Sequence, residues 1–291
     1  MNGALHGIGF GLLAMIGWGV GNSITRTPAI AIGVIPTLFY RNALVTLFLA
    51  LAVLTMPFKA VVNWPMIAAT LLLSVIGYIS LLSLFKAQRT GKLGLISPIS
   101  GAGSAVITIT YALLFYGENP SLLQRCGMAA VLLGVVFVSI NFKDLRNSNL
   151  FSRSSGVPLA LLTALCWGIM FALMVKPSIA LGAVFCAFVL NLGSLVLSGT
   201  HLAVMRIRPA LPSPRLALIV VVIALFSVLG SVSFNFGIIG APVSIVYTIA
   251  AAAPVIGIVA GIWFYKESHP LHHYFGMLLS LAGIVLIGIE K

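Results

Sequence analysis

The sequence predicts an all-α integral membrane protein, with ten transmembrane helices arranged as two inverted five-helix repeats. Three observations carry this. The 291 residues are 60% hydrophobic and 7% charged, with mean hydropathy +1.17; a soluble domain carries roughly 25% charged residues. Apolar stretches of about 20 residues, enough to cross a ~30 Å hydrocarbon core as helices, follow one another almost to the end. Finally, the chain echoes itself at an offset of 149 residues (Trp18 to Trp167), on its rarest residue types. Trp18-Gly19 recurs as Trp167-Gly168, Pro28 as Pro177, Gly33 as Gly182, Asn42 as Asn191 and Pro65 as Pro214. Gly91 recurs as Gly240, Phe115-Tyr116 as Phe264-Tyr265, Glu118 as Glu267, Gly127 as Gly276 and Gly134 as Gly283. Two of four tryptophans and two of four acids falling in register is not what chance gives an apolar chain.

The spans are expected at 5–25, 33–56, 65–86, 94–117 and 121–142 in the first copy. The second copy has them at 156–176, 182–205, 216–237, 241–265 and 270–289. The runs are too long and too continuous for barrel strands, which are short and alternate in polarity. The first run lacks the basic leader of a signal peptide, so it reads as a retained helix. Short connections such as Met56-Pro57, Asn119-Pro120 and His269-Pro270 separate the later spans and make neighbours antiparallel. Span 4 carries Pro98 one turn in, and span 9 carries Pro254 at its middle. Each proline removes a backbone donor and disturbs the helix, or is absorbed as a packing kink. Spans 5 and 10 carry Gly127/Gly134 and Gly276/Gly283, one heptad apart on one face, which predicts a close packing seam between helices or subunits. The domains are therefore 1–142, a polar linker 143–155, and 156–291.

Five spans per copy is an odd number, so the second copy is inverted in the membrane, an arrangement that marks membrane transporters. The net charge of +12 lacks the clustered Lys/Arg and interleaved aromatics of a nucleic-acid surface. It orients the protein instead. Arg26, Lys86, Arg89, Lys92, Lys143, Arg146, Arg153, Arg206, Arg208, Arg215 and Lys266 lie on one side. Lys59, Arg125, Lys176 and Lys291 lie on the other. The positive-inside rule makes the first side cytoplasmic and places both termini outside. Cys126, Cys166 and Cys186 fall in or beside spans, which does not suit a disulfide framework.

With these motifs assembled, the sequence resembles the EamA-type members of the drug/metabolite transporter superfamily. The resemblance rests on the Trp-Gly of each first helix and the G-x-L-x-x-x-S-P-I run ending at Ile99. It rests also on Glu118…Gly127 and Glu267…Gly276, and on the L-x-G-V/I segments at Leu132–Val135 and Leu281–Ile284. No single motif is specific; their ordered recurrence over residues 7–289 is. The resemblance implies an alternating-access carrier with a cavity between the halves, lined by helices 1, 3, 4, 6, 8 and 9. One departure matters. The small multidrug-resistance relatives keep a carboxylate in their first helix for proton exchange, and neither span 1 nor span 6 holds an acid here.

The candidate substrate site is a polar and aromatic set on those helices: Trp18, Asn22, Tyr78, Ser97, Ser100, Ser104, Trp167, Ser231, Asn235, Tyr247 and Thr248. Apolar walls with a few convergent hydrogen-bonding groups suit a small-molecule pocket. Taken singly, each hydroxyl reads as readily as a bond to its own helix. Arg41, Glu118 and Glu267 are the candidates for coupling or gating. Each has a plainer reading: Arg41 snorkels to the interface, and each glutamate caps the helix that follows it. His269, His272 and His273 read as a solvated helix start rather than a metal site. No catalytic constellation and no phosphate-binding loop is present, so no enzyme and no cofactor is expected. The expected function is secondary or facilitative transport of small organic metabolites, leaning to efflux or exchange of amino-acid-like compounds. Sugar or metabolite uptake is the alternative within transport; a lipid-handling or scaffold protein is the alternative outside it. The expected setting is a cytoplasmic-type membrane, inner or plasma, with lipid and small-molecule solute as partners and a homodimer through helices 5 and 10.

Overall fold

A computed structural model describes residues 3–55, 63–90, 93–139, 155–265 and 270–289. These fold into helices alone. The first copy contains α1 (Gly3–Ser23), α2 (Arg26–Ala31), α3 (Val34–Thr55), α4 (Trp64–Thr90), α5 (Leu93–Phe115) and α6 (Leu122–Ser139). The second contains α7 (Val157–Leu173), α8 (Val175–Leu181), α9 (Ala183–Val204), α10 (Pro214–Gly240), α11 (Val243–Ala250), α12 (Ala253–Tyr265) and α13 (Leu271–Ile289). The 149-residue offset carries both ends of α3 onto both ends of α9. The repeat read from rare residues is thus a repeat of helix boundaries.

Eight helical stretches among the described residues are long and apolar enough to cross a membrane, and the pair α7–α8, bent by 42°, supplies a ninth. The expected span 241–265 differs: it is broken into α11 and α12 at Ala251-Ala252. Pro254 explains the break, because it has no N–H to donate and its ring crowds the carbonyl four residues back. The ladder tightens there, with Ala252 N–H donating to Ile249 O at 3.0 Å and Val255 N–H to Ala252 O at 2.9 Å. The equivalent residue in the first copy is Ala105, and α5 runs through it unbroken. Pro98 does not break α5 either.

The inversion is visible in the packing of equivalent helices. Gly127 meets Gly283 and Gly134 meets Gly276, so α6 and α13 run antiparallel. Asn42 lies against Ser194 and Phe39 against Gly199, so α3 and α9 do the same. Between these two edges the halves interleave, with α1 on α10, α11 and α12, and α7 on α4 and α5. Large apolar side chains such as Leu47, Leu51, Leu72, Val106, Leu133, Leu218 and Leu278 are exposed on the outer faces. That pattern requires lipid as the solvent.

The glycine seam lies within the chain. A methyl group on Gly127 would sit 2.7 Å from the Gly283 carbonyl oxygen, and one on Gly134 would sit 2.6 Å from that of Gly276. The predicted close approach is therefore between α6 and α13 of one molecule, which occupies the faces a second subunit would have used. The linker 143–155, apart from Ser155, lies outside the described residues, as do Glu267 and His269.

Candidate functional site

Four aromatic side chains from both halves meet at the centre. Trp18 of α1, Phe171 of α7, Phe234 of α10 and Tyr247 of α11 have ring centroids 5.0 Å (Trp18–Phe171), 5.5 Å (Trp18–Phe234), 4.5 Å (Phe171–Tyr247) and 5.7 Å (Phe234–Tyr247) apart. Such tilted and edge-on pairs are the favoured aromatic geometries. Trp167 flanks the group, 6.3 Å from Phe171. Gly230 makes the arrangement possible, since any side chain there would collide with the Trp18 indole. One polar contact closes the cluster: Ser104 Oγ and Tyr247 OH lie 2.8 Å apart. Ser104 Oγ also lies 2.8 Å from Gly101 O. The consistent wiring has Tyr247 donating to Ser104 and Ser104 donating to its own helix.

Glu118 closes one end of this region. Gly117, at φ +65°, ends α5 in the left-handed conformation that glycine favours at a helix C-terminus, and Glu118 N–H returns to Ala112 O at 3.3 Å. The turn carries the Glu118 carboxylate across to the other half. Oε1 accepts from Val243 N–H at 2.7 Å and Oε2 from Ser244 N–H at 3.1 Å. Pro242 occupies the N-cap of α11 and makes no side-chain cap of its own. A carboxylate at the positive end of a helix is favourable by ~0.3–1 kcal/mol, beyond its hydrogen bonds. Capping was the expected plain reading, but of the following helix. The correction is that Glu118 caps a helix of the opposite repeat, 125 residues on.

The other expected site residues divide. Ser100 turns back to Ile96 O at 2.7 Å and Thr248 to Ser244 O at 2.6 Å, each within its own helix. Asn235 Nδ2 donates to Ala183 O at 3.0 Å and ties α10 to the start of α9. Tyr78 turns away from the centre to His201 Nδ1, 2.8 Å from its hydroxyl. Ser244 Oγ is buried with no hydrogen-bond partner. Asn22, Ser97, Trp167 and Ser231 are half-buried, as is Trp18. Arg41 does not snorkel outward. It is 8% exposed and its Nη1 donates to Asn42 Oδ1 at 2.8 Å.

Sequence reasoning missed Phe171, Phe234 and His201. Phe171 lies one turn beyond Trp167 on the same helix face, and Phe234 matches Phe85 at the repeat offset; both signals were present. His201 carried one too, as an ionisable side chain inside span 182–205 whose repeat counterpart is Ala52. The centre is closed in this conformation, with Ser104 and Thr248 at 0% exposure and Tyr247 at 3%. A recess of about 500 Å³ opens instead at the end carrying Arg26 and Arg215, lined by Ile24, Thr27, Ser213, Arg215, Leu216 and Ile219. Among the described residues no group of metal-ligating side chains forms a cluster, and the three cysteines are free thiols.

Two inverted helical copies around a closed centre match a known family: the EamA-like transporter family covers residues 5–140 and again 154–289. The chain belongs to the EamA-like transporter family. As a member it is a multi-pass membrane protein and a transporter of small solutes. A solved structure described only as a crystal structure of a protein shares the fold, with a TM-score of 0.80 and 14% identity. That likeness covers 98% of this chain and 99% of the other. No curated protein matches.

Proposed function

We propose that this EamA-family chain is a secondary carrier that exports or exchanges small amino-acid-like metabolites by alternating access. In this reading the halves 1–142 and 156–291 rock about the central cluster. The observation that carries it is the composition of that cluster, contributed by both repeats and linked by aromatic contacts and one hydroxyl pair. Such contacts come apart at modest cost, about 0.5–1.5 kcal/mol for an aromatic pair or a hydrogen bond. Trp18, Asn22, Tyr78, Ser97, Ser100, Ser104, Trp167, Ser231, Asn235, Tyr247 and Thr248 remain the candidate substrate contacts, with Phe171 and Phe234 added.

In this reading the recess and the basic loops face the cytoplasm from an inner or plasma membrane, an orientation the positive-inside rule supports. The termini, and the Glu118 contact with α11, then lie outside. Glu118 acts as the outer latch, released when α11 swings away, and Glu267 is proposed for the same task at the inner end. Lipid covers the outer faces, including Leu133, Leu278 and Leu281 of α6 and α13. A homodimer through those two helices would have to use these outer faces, since the glycine faces are occupied.

The test is solute flux in proteoliposomes over amino acids, sugars and cationic dyes, with and without a proton gradient. Saturable flux of amino-acid-like solutes is the expected result. Well-folded reconstituted protein that moves none of them, but scrambles labelled lipid, would sink the reading in favour of a lipid-handling protein. Gradient-driven dye extrusion would overturn the argument from the missing carboxylate of span 1.

A further inference from the structure

The inverted repeat supplies an internal control for every side chain. Helices α3 and α9 are the same element built twice, with the same bounds at the repeat offset. Arg41 on α3 has Leu190 as its counterpart on α9. Since α9 forms and packs without a cation, α3 does not need one for its fold. A guanidinium inside a membrane span costs on the order of 2.5–3.5 kcal/mol even on the lenient insertion scale, so its presence requires another reason.

The surroundings of Arg41 are those of a cation awaiting a partner. It is seven residues inside α3, about 10 Å along the helix, and 8% exposed. The hydrogen bond from Nη1 to Asn42 Oδ1 uses one of the five N–H donors of a guanidinium. Asn42 is itself fixed, with Nδ2 donating to Ser194 O on α9 at 3.2 Å. Its counterpart Asn191 instead bonds its own helix at Ala187 O, 2.9 Å away. Glu118, the one acid among the described residues, is committed to α11. The same three-helix region holds a second departure from the repeat. Tyr78 of α4 bonds His201 of α9, two turns beyond Ser194, where the counterparts are Ser227 and Ala52. Polar groups that symmetry does not demand are thus concentrated where α3, α4 and α9 meet.

We propose that Arg41, positioned by Asn42, binds the carboxylate of the transported solute at the α3–α4–α9 junction. This rests on the metabolite-carrier reading above and narrows it to carboxylate-bearing solutes. The planar fork of a guanidinium matches a carboxylate with two parallel charge-assisted bonds. The solute arrives carrying the counter-charge that no described residue supplies there.

The test compares matched solutes in proteoliposomes: leucine, and leucinol, which lacks the carboxylate. Wild-type protein is expected to move leucine and to prefer it. Arg41→Gln should lower leucine flux about tenfold or more, as losing one charge-assisted contact implies, and leave leucinol flux within about twofold. Arg41→Lys, which keeps the charge but not the fork, should lose several-fold for leucine at an unchanged melting temperature. If Arg41→Gln does not fold, Arg41→Lys decides. Equal losses for both solutes would make the arginine structural and overturn the proposal. Wild-type flux of leucinol with no preference for leucine would overturn it while the carrier reading survives; no flux of any solute would end both. The assay is run in vesicles with and without phosphatidylglycerol, and with inorganic phosphate as competitor. An Arg41 effect that needs the anionic lipid, or that phosphate abolishes at concentrations where leucine does not compete, assigns the guanidinium to a phosphate group and overturns the carboxylate.

Discussion

The seam between α6 and α13 and the junction of α3, α4 and α9 are both places where the two repeats touch, and they are built on opposite principles. At the seam, each half contributes the same residues. Gly127 and Gly134 face Gly283 and Gly276, backbone against backbone, and the inverted repeat satisfies both sides with one motif. At the junction the frame is equally symmetric, but Arg41, Tyr78 and His201 have Leu190, Ser227 and Ala52 as counterparts. The centre is mixed: Phe171 matches Asn22 and Tyr247 matches Pro98, whereas Trp18 and Phe234 keep Trp167 and Phe85 as counterparts. Symmetry governs where backbones must approach. It lapses where side chains must recognise something that has no two-fold axis of its own.

Three tests would break or sharpen this contrast. The largest effect is expected at the seam. Gly134→Leu would drive a side chain into the Gly276 carbonyl and Ser280 and should cost about 3 kcal/mol by overpacking. Gly9→Leu, on α1 with nothing within 4 Å of its added carbon, should lose no stability and gain up to about 1 kcal/mol in helix propensity. Thermal unfolding in detergent compares the two, and a tolerant Gly134 would show that the seam is not tight. Next is the latch. Glu118→Gln replaces one acceptor of the α11 N–H groups with a donor and should cost about 1.5 kcal/mol of closure. The readout is thiol labelling of Ser244→Cys, expected several-fold faster in the Gln background; an unchanged rate would mean that Glu118 does not hold the end shut. The smallest is Tyr247→Phe, which keeps the ring contacts and removes the bond to Ser104. It should cost about 1 kcal/mol and lower solute flux a few-fold, with the seam's stability untouched. Full flux from this variant would remove the hydroxyl pair from the site.

Much of the frame was legible in the sequence because it repeats. Pro254 marked the place where span 9 breaks, but Pro98 lacks the same N–H and leaves α5 whole, so a proline names a candidate break that the surrounding structure decides. The glycine spacing gave the seam because a heptad puts both glycines on one face. Whether that seam lay within the chain or between subunits was not legible, because spacing names a face and not its partner. The site was harder. Tyr78 and Asn235 are polar residues on the expected helices, yet they serve His201 and a backbone carbonyl. In a chain whose helices are apolar on every side, hydrophobic periodicity does not separate inward from outward faces.

The sequence by itself determined the two copies, their inversion, the ends of spans such as 33–56 and 182–205 to within a residue, and the membership of a transporter family, but not the short helices α2 and α8. These follow from local chemistry: apolar length, loop charge, prolines, glycines and the repeat. Only the tertiary structure decided that Glu118 caps α11 rather than the next helix, that Trp18 and Tyr247 share a cluster with Phe171 and Phe234, and that Arg41 is buried beside Asn42. Each of these is a contact between side chains far apart in sequence or a choice between two directions for one side chain. Such choices are set by which helices pack together, and in lipid that packing depends on close-fitting surfaces rather than on hydrophobicity.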